Sequence, residues 1–400
     1  MRTPDMLDFP LDEYTARLAK LTGLMREQGL DAVFLTAAEN LRYFTGLQSV
    51  VWPSPVSTPG VLLVNADGDA AIVCSASSLR PARATTWLEE DRLFAYNVPG
   101  RPEKYEDAIF EAFGTLGVQR GRIGMEYGTG FRVNLQAGYF FPLLAKLEAA
   151  GAQFADAARL LWELRTVKSA REIACVRRAV QVAEKMFDAA FSSVVLDKST
   201  ERDLMNVMGA TAMEEGCEDL LTMVVRFGTQ RLPQVNCPSS EHVIITNTPH
   251  EILHLDGGPC FGGYYADIIR QAVVGGLTAE QRECEKVAIA AVEAGLAAVR
   301  DGVLASEVCR AADDVFEKYG YGKCNDGPGW SGHGIGLDVH EEPQIAAGSD
   351  YVLKEGMTLS LEPGMKVPGQ GPFCNEQNFV VTKTGFELLS TMPLEMRVLK

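Results

Sequence analysis

Four acidic residues and one histidine, each inside a distinctive local phrase, constrain this chain more than any other feature. They are Asp256 and Asp267 in LHLDGGPCFGGYYADIIR (253–270), His333 in GHGIGLDVHEEP (332–343), Glu362 in LSLEPGM (359–365) and Glu376 in CNEQNFVVT (374–382). A carboxylate buried without a partner protonates or destabilises the fold. Four carboxylates and a neutral imidazole carry four negative charges, which two divalent cations would balance. The set therefore reads as a dinuclear metal site. Oxygen-rich ligation with one imidazole suits Mn²⁺ first, then Co²⁺, Zn²⁺ or Fe²⁺. Taken singly, each acid is an ordinary surface or capping residue; the joint occurrence carries the reading.

Local patterns explain how the phrases could converge. LHLD reads as one strand, GGPCFGG as a connection and YYADIIR as the returning strand, so antiparallel pairing brings Asp256 and Asp267 to one face. His333 lies between two glycines. Glu362 ends the apolar run TLSL, and Glu376 opens NFVVT. Arg270 is expected to pair with the site's carboxylates. His254, two residues before Asp256, faces the same side of the strand, either approaching the site or buried in a hydrogen bond.

The rest of the chain supplies a frame. Residues 12–29 have helical periodicity and AVFLTA (32–37) follows as a strand. GVLLVNADGDAAIVC (60–74) is a hairpin around Asp67-Gly68, RIGMEY (122–127) is a short strand, and helices are expected at about 104–116 and 136–150. Residues 160–191 read as one long amphipathic helix, with Ser169 and Glu172 at capping-box spacing marking its start. Further helices are expected from Thr200, from Thr278 with Gln281 at capping-box spacing, and over 306–319. The expected division is an N-terminal α/β domain over 1–158 and a catalytic α+β domain over 159–400.

Composition narrows the partners. A net charge of −16 argues against nucleic-acid binding. The N-terminus has no apolar signal region, and the longest small apolar run, AIAAVEAGLAAV (288–299), is short and carries Glu293, so no membrane association is expected. Nine dispersed cysteines without a C-x-x-C pair suggest reduced thiols and a cytoplasmic protein. No P-loop phrase is present, and Cys260 has no histidine at a spacing that supports a nucleophile.

These motifs resemble the pita-bread metallohydrolases, a family that includes Xaa-Pro aminopeptidase, prolidase, methionine aminopeptidase and creatinase. LWELRTVKSAREIACVRRAV (161–180) and NLRYFTG (40–46) extend the likeness over nearly the whole chain. The resemblance implies a C-terminal pita-bread domain behind a smaller creatinase-type α/β domain, and a homodimer. It implies one metal on Asp256 and Asp267, bridging by Asp267 and Glu376, and a second metal completed by His333 and Glu362. Glu362 would also act as general base, and His340 would contact the substrate and stabilise the tetrahedral intermediate; the alternative for His340 is an ordinary loop histidine. Trp52, in VWPSPVSTPG (51–60), and Trp330 would wall the substrate pocket, with a surface loop and core packing as their alternatives.

One departure bears on the substrate. Family peptidases carry a further histidine upstream of the first metal aspartate, and the matching position falls near Asn236, with His242 and His250 displaced. An amide does not offer an imidazole's proton chemistry near neutral pH. The default expectation is a short Xaa-Pro peptide. The rivals are a non-peptide small molecule (creatine- or ectoine-like amides, or a sulfonium compound cleaved by a lyase) and a non-catalytic binding protein on the same fold.

Overall fold

The computed structural model describes residues 2–49, 60–230, 238–323 and 329–400; Trp52 and Asn236 lie outside the described residues. Two compact units span Met1–Arg165 and Thr166–Lys400.

The N-terminal unit is built on a six-stranded mixed sheet ordered β4-β3-β2-β1-β5-β6, from β1 (Ala32–Leu35), β2 (Val61–Asn65), β3 (Ala70–Ser75), β4 (Leu93–Tyr96), β5 (Gly121–Met125) and β6 (Ala152–Asp156). The Asp67-Gly68 hairpin forms as read, pairing Val61 with Val73 and Val64 with Ala70; Gly68 takes φ +93°, which a side chain would disfavour. Helices α1 (Leu11–Glu27), α2 (Ala38–Thr45), α3 (Leu79–Thr85), α4 (Tyr105–Thr115), α5 (Ala137–Ala150) and α6 (Ala158–Arg165) complete the unit. Phe34, Leu63, Ile109, Phe113, Ile123 and Leu147 form part of its apolar core. The phrase NLRYFTG is structural here. The buried Glu126 carboxylate accepts hydrogen bonds from Asn40 Nδ2 and from the amides of Thr36 and Ala37, fixing the start of α2.

In the C-terminal unit the expected helix over 160–191 is broken. Its first part is α6; α7 (Ala170–Ser193) starts afresh after Ser169, which accepts from the Glu172 amide while Glu172 accepts from the Ser169 amide. The intervening residues turn to the backbone of another segment: Val167 bridges Met357, and the Lys168 amide donates to the Gly356 carbonyl. A continuous amphipathic stripe cannot reveal such a break; the capping box is the local signal that does. Helices α8 (Glu201–Glu214), α9 (Ala279–Ala298) and α10 (Ala305–Lys318) follow, and Thr200 and Thr278 cap α8 and α9 with the same reciprocal bonds.

Two sheets carry the motifs. The first, ordered β18-β10-β8-β7 with β9 paired to β8, uses β7 (Asp219–Phe227), β8 (Ile252–Phe261), β9 (Tyr264–Tyr265), β10 (Ile268–Val274) and β18 (Arg397–Leu399). The second, β12-β11-β13-β16-β17, uses β11 (Trp330–Gly334), β12 (Glu341–Ala346), β13 (Thr358–Leu361), β16 (Gln377–Val381) and β17 (Phe386–Leu388). The ribbon β14 (Gly364–Val367) and β15 (Gly371–Cys374) joins Glu362 to Glu376. Helices α7 and α8 pack on the first sheet, and α9 and α10 pack on the second. Each half of the unit is thus a helix pair backing a sheet that is antiparallel apart from the parallel β10–β18 pairing in the first. This is the α+β architecture expected. No helix among the described residues is long and apolar enough to cross a membrane.

Candidate metal centre

Each half contributes part of the site. Asp256 lies in mid-strand on β8, opposite Ile269 of β10. The expected connection GGPCFGG is mostly strand: β8 runs on to Phe261, and the turn is Gly262-Gly263, both at positive φ. Gly257 lies within the strand rather than in the turn; a Cβ there would crowd Phe187 and Met208. Asp267 sits in the gap between β9 and β10, held by backbone bonds in both directions. Its amide donates to Asn378 Oδ1 at 3.0 Å, and Asn378 Nδ2 donates to its carbonyl.

From the second sheet come His333, inside β11, Glu362, at the end of β13, and Glu376, at the start of β16. Cross-strand register aligns His333 with Ser360 and Ser360 with Asn378. That row is buried, and Ser360 Oγ donates to Glu376 Oε1 at 2.5 Å while accepting from Asn378 Nδ2 at 3.0 Å. Ser360 and Asn378 thus position metal-competent groups from both sheets. Sequence reading did not single them out, since serine and asparagine carry no metal signal; the S-x-E and E-x-N spacings around Glu362 and Glu376 were the available clue.

Metal-competent atoms converge in three overlapping groups: Asp256, Asp267 and Glu376; His333, Glu362 and Glu376; and Asp267, His333 and His340. Within each group the atoms lie within 4.8 Å of one another. His333 Nε2 is 3.2 Å from Glu362 Oε1, 3.6 Å from Asp267 Oδ2 and 3.8 Å from Glu376 Oε1. His340 Nε2 is 3.6 Å from Asp267 Oδ2, on the outer side of the cluster.

The donor set fits divalent cations. His333 Nδ1 lies 3.0 Å from the Gly334 carbonyl, an acceptor, so Nδ1 carries the proton and Nε2 presents its lone pair. Nε2 is buried without a hydrogen bond and faces carboxylate oxygens, which are also acceptors. Asp256 Oδ1 is likewise buried without a hydrogen-bond partner. Lone pairs converging on one another are unfavourable unless a cation or a proton lies between them. Burial first, and then the charges of Glu376 and Glu362, push Asp256 well above the usual carboxylate range. Burial, then Asp267 and Glu362, do the same to Glu376.

Other expected residues fall differently. Arg270 does not pair with the cluster's carboxylates: it donates to the backbone carbonyl of Glu376 at 2.6 Å and to Gln377 Oε1 at 2.8 Å. It braces the strand start that carries Glu376, and burial lowers its pKa to about 10. His254 is buried away from the three groups, with Nδ1 3.4 Å from Gln271 Nε2, which is the structural alternative. Trp330 stacks beside His333, with ring centroids 6.0 Å apart, and donates to Gln344. It braces the His333 strand; its expected place in a pocket wall rests on this adjacency.

Comparison with known proteins now adds what geometry alone does not. The sequence profile of metallopeptidase family M24 matches residues 174–383, more than half of the chain. The chain belongs to metallopeptidase family M24. The creatinase/prolidase N-terminal domain profile matches residues 17–167. Among relatives of this M24 protein, the Xaa-Pro dipeptidase of Pyrococcus furiosus is 25% identical over 380 residues, covering 95% of this chain and 99% of that one. The Xaa-Pro dipeptidase of Lactobacillus delbrueckii subsp. lactis is 26% identical over 400 residues, covering 96% and 98%. The crystal structure of a dipeptidase from Pyrococcus horikoshii OT3 superposes with a TM-score of 0.81 at 28% identity, covering 96% and 100%. The M24 protein is a metallohydrolase, and its family implies divalent metal ions.

Proposed function

We propose that this metallohydrolase is an Xaa-Pro dipeptidase or aminopeptidase acting on short peptides through a dinuclear centre in the C-terminal unit. The observation that carries the proposal is the convergence of Asp256, Asp267, His333, Glu362 and Glu376 with His340 beside Asp267. Near full-length similarity to Xaa-Pro dipeptidases supports it.

In this reading Asp256, Asp267 and Glu376 would hold one ion and His333 and Glu362 would complete the ligands of the second, with Asp267 and Glu376 available to both. Two divalent ions, Mn²⁺ first among them, supply Lewis acidity at the scissile carbonyl and a nucleophile at neutral pH. Glu362 is half-buried, with 14% of its side chain exposed, so it meets both the cluster and the open side. It takes the proton of the attacking water and returns it to the leaving proline nitrogen. His340, neutral at pH 7, donates to the oxygen that gains charge as the tetrahedral intermediate forms.

The absence of a histidine near Asn236 favours one rival, a small non-peptide amide as substrate. The non-catalytic reading loses ground because all five ligand positions are kept. The chain is further proposed to be a cytoplasmic homodimer, on the basis of its dispersed cysteines and family likeness.

A panel of Xaa-Pro dipeptides and Xaa-Pro-Xaa tripeptides tests the substrate, with proline or N-terminal residue release as the readout. Faster dipeptide turnover assigns a dipeptidase and faster tripeptide turnover an aminopeptidase. Two metals per chain with no peptide turnover contradicts both and directs the search to small amides and sulfonium compounds.

A further inference from the structure

A buried ion pair lies behind the His340 turn, outside the set of ligands and acid–base groups. Lys168 Nζ is 2.9 Å from Glu341 Oε2, and each side chain is 1% exposed. Glu341 directly follows His340, and its other oxygen accepts from the Asp338 amide at 3.3 Å. The Glu341 carboxylate therefore folds back across the turn 336–340. Gly336 leaves room for it: a Cβ there would lie 2.6 Å from Glu341 Oε2 and 2.9 Å from Lys168 Cε.

The same chain segment grips the other half of the site. One residue after Lys168, Ser169 caps α7 with Glu172, and Glu172 Oε1 also accepts from the buried Tyr264 hydroxyl at 2.7 Å. Tyr264 lies three residues before Asp267. The neighbouring Tyr265 amide donates to the Gly336 carbonyl at 2.8 Å. The start of α7 thus joins the Asp267 hairpin to the His340 turn by two buried carboxylates.

A buried ion pair contributes little net stability compared with apolar groups of the same volume, so its use is sought in what it orients. His340 has no enclosing wall on its outer side, where 56% of the side chain is exposed. Its ring rests edge to face on His333, and the backbone of its turn carries it there. We propose that Lys168 and Glu341 are positioning residues that hold His340 against the cluster. This inference rests on the reading of His340 as a substrate-contacting group.

The test compares Lys168→Met with the charge-free pair Lys168→Met/Glu341→Leu in the full chain. Hydrogen exchange over residues 335–341, metal content, melting temperature and kcat with KM are measured for both. In the single variant, Asp338 amide exchange is expected to quicken while two metals stay bound. A displaced catalytic group costs about tenfold to 100-fold in kcat, with KM little changed. The double variant is expected to regain melting temperature but neither amide protection nor kcat, because it removes the Glu341 carboxylate that accepts from the Asp338 amide. Adding Lys168→Met to His340→Ala is expected to cost nothing further in kcat, because both act through one side chain. Wild-type exchange in both variants overturns the proposal, as does full kcat in a double variant with restored stability. If the wild-type protein cleaves no Xaa-Pro peptide, the peptidase reading fails, and the exchange measurement still decides the positioning claim.

Discussion

The imidazoles of His333 and His340 meet edge to face, with ring centroids 4.2 Å apart and planes at 88°. One is fully buried among carboxylates; the other keeps an open outer side. Removal from water on its inner side, and then His333, push the His340 pKa down to about 4. His340 is therefore neutral from about pH 5 upward, and protonates only as pH falls through that value. Replacing it with alanine is expected to leave two metals bound and to lower kcat by about 100-fold to 10,000-fold. Metal analysis by mass spectrometry checks this. Loss of an ion from His340→Ala would make His340 a ligand rather than a substrate contact.

Asp267 and Glu376, proposed to serve both ions, should behave otherwise. Asp267→Ala and Glu376→Ala each remove a group common to two of the three converging sets. Each is expected to reduce bound metal to one or fewer per chain and to abolish turnover while the protein stays folded. Circular dichroism and metal content read the two properties separately. Full metal content in either variant contradicts the assignment.

Stability should depend on metal in a pH-dependent way. Asp256 and Glu376 are held above the usual carboxylate range when no cation is present. The folded metal-free chain then keeps protons that the unfolded chain has released above about pH 4. Its stability consequently falls as pH rises from there. Metal binding needs those carboxylates ionised and removes the cost. The gain in melting temperature on adding Mn²⁺ is expected to be larger at pH 8 than at pH 5.5. Equal gains at the two values would count against a buried carboxylate centre.

Ser360 offers a test of the supporting groups. Its hydroxyl is a donor to Glu376 and an acceptor from Asn378. Ser360→Ala is expected to weaken metal binding about tenfold to 100-fold without unfolding the chain. Calorimetric titration of the metal-free protein measures it, and wild-type affinity would show that Glu376 needs no such brace.

Much of this was legible in the chain because the signals were local. Capping pairs at Ser169 and Thr278 marked helix starts, Asp67-Gly68 marked a hairpin, and the motif phrases held all six converging residues. What stayed hidden depended on register or on distant partners. The strand through Asp256 absorbs glycines that locally read as a turn. The single helix expected over 160–191 breaks because Val167 and Lys168 bond to residues nearly 190 positions away. Arg270 follows its strand's register to a backbone carbonyl rather than to the nearest charges. Ser360 and Asn378 gain their roles only from register, which sets Ser360 between His333 of β11 and Asn378 of β16.

The central claim is that the converging carboxylates and His333 hold two metals that perform peptide hydrolysis. Its most direct test is to strip the protein of metal, titrate it with Mn²⁺, and follow proline release from an Xaa-Pro dipeptide alongside bound metal per chain. The expected result is negligible turnover without metal, activity rising to a maximum at two ions per chain, and none in Asp267→Ala. Undiminished turnover by Asp267→Ala, or two bound ions in the wild-type chain without proline release, would contradict it.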